Sequence, residues 1–156
     1  MLPFGNYCLV ISGRGVMKPL KLRLVRNGDI IFEIPLCPTD WQRQDLADEF
    51  KAAEVDFERF SRMFDALSHR TRLRMMQHVV EEKTGTMSFA DFMRDLDLNP
   101  KTVWENSRKL EQSGLLEKTS RGKYSCSDIG ETAFMMMSLA LRRLIQSLEE
   151  MEEVKE

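Results

Sequence analysis

Residues 88–127 carry two helical patterns parted by a two-residue break, then two short strand patterns parted by a three-residue turn, and this order restricts the fold more than any other feature of the chain. Ser88 is placed to cap the first helix, with Asp91 three residues on. Phe89, Phe92, Met93 and Leu96 then recur as one apolar stripe. Asp97-Leu98 makes a tight turn. Asn99-Pro100 starts the next helix, since Asn caps and Pro suits the first helical position. That helix ends near Ser113-Gly114, and residues 115–119 and 123–127 read as strands joined by Ser120-Arg121-Gly122. A helix, a turn, a helix and a hairpin make a winged helix-turn-helix. The expected class is α+β, mainly α.

The flanking segments add helices with more apolar surface than one core needs. Phe50, Ala53, Phe57, Phe60, Phe64 and Leu67 recur at steps of three and four, a single seam broken by Ser68. A helix over 71–82 turns Leu73, Met76, Val79 and Val80 inward, and Gly85 is placed to stop it. The last helix spans about 128–151. Phe134, Met137, Leu141, Leu144, Leu148 and Met151 form a seam of coiled-coil spacing, and Ala133, Met136 and Ala140 supply a second apolar side. A helix apolar on two sides packs against its own domain and against something else.

Residues 7–36 read as strands. Leu20, Leu22 and Leu24 alternate with Lys21 and Arg23, while Ile30, Phe32 and Ile34 alternate with Ile31 and Glu33. A two-residue loop at Asn27-Gly28 would set Leu22 against Glu33. A three-residue loop, Arg26-Asn27-Gly28, pairs Leu24 with Ile30, Leu22 with Phe32 and Lys21 with Glu33, and a three-residue hairpin with a bulge is the expected register. Residues 6–12 form an expected third strand, joined through Gly13-Arg14-Gly15. The expected organisation is an antiparallel β-meander over 1–40, a winged helix-turn-helix domain over 46–127 and a dimerisation helix over 128–152.

The formal net charge is −2, but it is unevenly spread. Residues 69–127 hold 11 Lys/Arg against 8 Asp/Glu, whereas 40–68 and 128–156 are each net −4. Cys8, Cys37 and Cys126 include no CxxC pair and are odd in number, which points away from a disulfide framework and toward a reducing cytoplasm. No basic segment with a long apolar core opens the chain, and the longest apolar run, 134–141, is too short to span a bilayer. No membrane association is expected.

The major groove of DNA is wide enough for one helix. In the helix over 100–114, Val103, Ser107 and Leu110 share the inner side. Lys101, Glu105, Arg108 and Gln112 lie opposite, flanked by Thr102 and Lys109, and this is the side expected to meet duplex DNA. Lys101 and Arg108 can donate to guanine edges or phosphates, and Glu105 can accept from a cytosine amino group. Trp104, at the border of the two sides, is expected to pack over the gap left by small Ser107. Lys118, Arg121 and Lys123 on the second hairpin complete the expected contact set, with Arg121 at its tip able to reach a phosphate or a narrow minor groove.

Three segments together resemble the ArsR-type winged-helix regulators over about residues 57–140. They are Ala66-Leu67-Ser68-His69-Arg70-Thr71-Arg72-Leu73-Arg74-Met75-Met76, then Leu98-Asn99-Pro100-Lys101-Thr102-Val103 with Lys109-Leu110-Glu111-Gln112-Ser113-Gly114-Leu115-Leu116, and Tyr124-Ser125-Cys126-Ser127-Asp128-Ile129-Gly130. The resemblance implies a homodimeric transcriptional regulator, a repressor reading a pseudo-palindromic site. The surplus apolar faces agree with pairing, and Phe57, Phe60, Phe64, Phe134, Met137, Leu141, Leu144 and Leu148 are the expected dimer interface. The family's cysteine metal-sensing motif is absent, since residues 89–96 contain no Cys or His. His69 and His78 are nine apart and do not form a ligand pair on one helical face. With no phosphate loop and no nucleophile-base pairing, neither an enzyme, a cofactor nor a metal is expected, and no pattern identifies a small-molecule effector. The alternative, from the acidic pI together with Glu105 and Ser107, is a winged-helix interaction scaffold that does not bind DNA.

Overall fold

The computed structural model describes residues 20–153, which divide into two units, one ending at Phe57 and the other beginning at Glu58. In the first, β1 (Lys21–Arg26) and β2 (Asp29–Pro35) form an antiparallel hairpin. Asn27 and Gly28 both have positive φ, 52° and 86°, so the loop is a two-residue turn of the primed kind. This corrects the expected three-residue loop. Arg26 pairs with Asp29 and Val25 with Ile30, then a bulge shifts the register so that Leu24 meets Phe32 and Leu22 meets Ile34. The extra residue does the work assigned to a longer loop, because it returns apolar side chains to apolar partners after the tight turn. Arg23 lies opposite Glu33, and Lys21 reaches the same carboxylate at 2.8 Å. Hydrogen bonds from Lys21 and then Arg23 hold the Glu33 carboxyl below its usual range. The expected strand over 6–12 and its Gly13-Arg14-Gly15 link lie outside the described residues.

After β2 a single 3-10 turn, Pro38–Asp40, leads to α1 (Arg43–Glu54). The indole of Trp41 donates to the Pro35 carbonyl at 2.9 Å and ties this turn to the strand end. Cys37 is disulfide-bonded, whereas Cys126 is a free thiol. The cysteine count, which points away from a disulfide framework, thus does not exclude a bridge at Cys37. The seam expected to be continuous from Phe50 to Leu67 is split, because the helix breaks at Val55-Asp56.

The second unit is a winged helix-turn-helix with a long C-terminal helix, mainly helical with a small antiparallel sheet. Its helices begin with α2 (Phe57–Leu67) and α3 (Arg70–Glu81). The two-residue strand β3 (Thr86–Met87), too short for any periodicity, joins the wing strands β4 (Leu116–Lys118) and β5 (Tyr124–Cys126) in the order β3-β5-β4. Between them lie α4 (Phe89–Leu96) and α5 (Pro100–Gln112). The core is built from Met75, Met76, Val79, Met87, Phe92, Val103, Leu110, Leu115 and Leu116 with Phe134 from the last helix.

Local chemistry sets the helix ends. Ser88 and Asp91 form a reciprocal capping box at 2.8 and 3.0 Å. The Ser88 backbone N–H, followed by the Ser88 hydroxyl, holds the Asp91 carboxyl below its ordinary range. Its contribution is present above the unfolded carboxylate pKa and is lost as pH falls through the folded value. Asp97 takes left-handed backbone, φ 53°, and turns the chain from α4 toward α5. Asn99 accepts from the Thr102 N–H at 2.8 Å, and Pro100 occupies the first turn.

Gly130 sits in α6 (Asp128–Met135), where Ser127 caps the helix and donates its N–H to the Leu115 carbonyl at 3.1 Å. A Cβ at position 130 would strike that carbonyl oxygen and lie 2.8 Å from the Leu115 carbonyl carbon and Cα. The obstacle is backbone, which cannot swing aside. Gly130→Ala is expected to cost about 2 kcal/mol by forcing α6 off the wing. Urea unfolding of the full chain checks this, and a loss below about 0.5 kcal/mol would show that the two segments part cheaply.

A π turn, Met136–Ala140, links α6 to α7 (Leu141–Glu153) within one long helix. Phe134 is buried in its own unit's core, and Met137 packs against that core. Beyond the π turn, Leu141 and Ile145 are exposed. Of the expected seam, Phe134 thus faces its own unit's core, Leu141 is open, and Leu144 and Leu148 are half-buried.

Candidate nucleic-acid interface

The second helix of the helix-turn-helix pair is held from behind. Val103 and Leu110 are fully buried, and Asn106 and Ser107 are buried with them. Asn106 accepts from the guanidinium of Arg72 on α3 at 3.2 Å and donates to the Thr102 carbonyl at 2.8 Å. Arg72 also donates to the carbonyls of Ala66 and Asp65, at 2.6 and 2.9 Å. One buried guanidinium thus joins the end of α2 to the middle of α5. Spacing in the sequence carries no signal for this tie, because its members are 34 residues apart.

The outer side is open. Lys101, Glu105, Arg108, Lys109 and Gln112 are exposed and Thr102 is half-buried. The structure distributes their charge unequally. Lys101 faces Glu105 at 3.8 Å along the helix, and Lys109 reaches Asp65 on α2 at 3.1 Å. Exposed pairs of this kind contribute little to stability and can exchange for phosphate contacts. The Arg108 guanidinium instead lies over the ring of Trp104, 5.1 Å from its centre. Trp104 is 53% exposed and does not pack over Ser107 as expected. Ser107 is itself buried and donates its hydroxyl to the Trp104 carbonyl at 3.2 Å, so it leaves no gap to fill.

A groove of about 700 Å³ runs beside this helix, and it adds His69 and Thr71 to the expected residues. His69 caps α3 through its ring, Nδ1 accepting from the Thr71 N–H at 3.2 Å. The wing supplies Lys118, Arg121 and Lys123, all exposed. The Lys118 ammonium lies 5.7 Å from the centre of the Tyr124 ring, and Arg121 occupies the turn between β4 and β5. Burial, with Glu131 nearby, pushes the Cys126 thiol up to about 11, so it stays protonated and unreactive at neutral pH.

The expected dimer positions fall in three places. Phe57, Phe60 and Phe64 share one exposed face of α2. Leu141 is exposed on α7, and Leu144 and Leu148 are half-buried. Phe134 is closed into its own unit's core. Among the described residues no helix is long and apolar enough to cross a membrane, and no cluster of His, Cys, Asp or Glu could hold a metal ion.

No family model matches the chain, and no curated protein is significantly similar to it. Among solved structures, an ArsR family transcriptional regulator aligns at 17% identity over 58% of this chain and 92% of its own, with a TM-score of 0.41.

Proposed function

We propose that this chain is a homodimeric, sequence-specific DNA-binding regulator of transcription, a repressor that occupies a pseudo-palindromic site. The observation that carries this reading is the open outer side of α5, with Arg108 and Gln112 exposed and the cations of the wing in the same unit. A helix held rigidly from behind and free in front suits the major groove, and the exposed wing cations suit phosphate or minor-groove contact. Pairing is supported by the apolar surface left uncovered on α2 and α7. Twofold symmetry would put two α5 helices about one DNA turn apart.

Fluorescence anisotropy with labelled duplexes tests the proposal. Binding is expected to fall steeply as salt rises. Arg121→Ala should weaken binding to every duplex and reduce the salt slope by about one, while Arg108→Ala should cost about 1–3 kcal/mol on the preferred duplex and relax sequence preference. Phe64→Glu and Leu141→Glu, both at exposed positions, should shift sedimentation toward the monomer without loss of helicity. Absence of duplex binding at low salt would sink the reading. The pairing of Lys101 and Lys109 with carboxylates favours the second reading, an interaction scaffold. That reading predicts a partner protein whose binding responds little to salt.

A further inference from the structure

We propose that Trp104 and Arg108 act as a single base-reading unit, recognising a guanine that lies next to a thymine in the major groove. This rests on the DNA-binding reading above and names what α5 reads. Trp104 is out of place as a structural residue. The other large apolar residues of α5, Val103 and Leu110, are fully buried, while the indole is 53% exposed. An indole left in water forgoes the stabilisation that burial would bring, and no core position on α5 needs it.

The indole instead organises Arg108 one turn along the same face. The guanidinium lies 5.1 Å from the ring centre, within the range of a cation–π contact. Its competitors are engaged elsewhere: Glu105 with Lys101 and Asp65 with Lys109. Among the described residues no carboxylate is paired with Arg108. A guanidinium with one flat side on an indole keeps its edge donors free, and that fork matches O6 and N7 of guanine. Holding the side chain in place beforehand lowers the ordering cost of the contact. The uncovered part of the indole is apolar. The apolar group that a base presents in the major groove is the C5-methyl of thymine, so the base pair beside the guanine is expected to carry one.

The test is selection from a pool of duplexes with a random central segment, using the wild type, Trp104→Ala, Trp104→Phe and Arg108→Ala in parallel. The wild-type motif should contain a guanine next to a thymine in each half-site. Arg108→Ala and Trp104→Ala should both lose discrimination at that same step, by about tenfold, and Trp104→Phe should keep part of it. On the wild type's winning duplex, replacing that thymine with deoxyuridine removes one methyl. This should weaken the wild type about threefold and leave Trp104→Ala unchanged. Both residues are exposed, so circular dichroism should be unaltered. A Trp104→Ala motif identical to the wild type's, or a loss confined to base pairs other than those of Arg108, overturns the proposal. Salt-dependent binding of the pool without any enriched motif overturns it while leaving DNA binding intact. No binding of the pool removes both.

Discussion

Arg72→Ala is expected to lower the unfolding free energy by about 3 kcal/mol, although it removes a charge from the interior. Arg72 is 7% exposed, and its guanidinium donates to the carbonyls of Asp65 and Ala66 and to the side chain of Asn106. The two carbonyls belong to the last turn of α2, where the helix dipole is negative, and that of Asp65 also accepts from the Ser68 hydroxyl at 2.7 Å. Without Arg72, the Ala66 carbonyl and the Asn106 side-chain oxygen lose its donation in a buried place, at about 1–3 kcal/mol each, while the Asp65 carbonyl keeps Ser68. Relief from burying a charge offsets part of that cost. Arg72→Lys should recover little, since a single ammonium cannot address three acceptors as a planar fork does. Urea unfolding reads both variants. A loss below about 1 kcal/mol for Arg72→Ala would mean that water enters and satisfies the carbonyls. On the proposed DNA-binding reading, the same variant should also weaken duplex binding, because Asn106 sits on α5 and would lose a partner that holds the helix in place.

The second large effect is expected at Phe92, which is fully buried and lies with its ring 5.7 Å from that of Tyr124. This contact joins the first helix of the helix-turn-helix to the inner wing strand. Phe92→Ala should cost about 4 kcal/mol, the sum of lost transfer free energy and the cavity left behind. For a unit of this size that corresponds to a fall in Tm of roughly 15–30 °C. Phe92→Leu keeps most of the volume and should cost about 1 kcal/mol. Thermal unfolding followed by circular dichroism separates the two. If they proved equal, the aromatic pair rather than the filled space would be holding α4 to the wing.

Much of the fold was legible because its signals are local. The Ser88–Asp91 box, Asn99-Pro100 and the Ser120-Arg121-Gly122 turn each act within four residues, and the structure has the caps and the turn at those places. Where a signal needed a distant partner, the outcome differed. The Asn27-Gly28 turn is the tight one, since a bulge in β2 restores the pairing that a longer loop was expected to supply. The strand β3 has two residues and exists through its pairing with β5. The seam through Phe134 is divided by a π turn that no heptad count anticipates.

The candidate interface divides along the same line. Periodicity of 3.6 residues was enough to sort α5 into an inner and an outer side, because a helix that covers a core has little choice about which residues face it. Which outer cations are free is decided by neighbours in space. Asp65 takes up Lys109 and Glu105 takes up Lys101, while the indole expected to be packed away lies open beneath Arg108. Spacing along the chain therefore determined the order of elements and the side of each helix, since caps, turns and amphipathic stripes are properties of neighbouring residues. The buried guanidinium tie, the register of the hairpin and the partners of each surface charge were decided by the tertiary structure, since each depends on groups that only folding brings together.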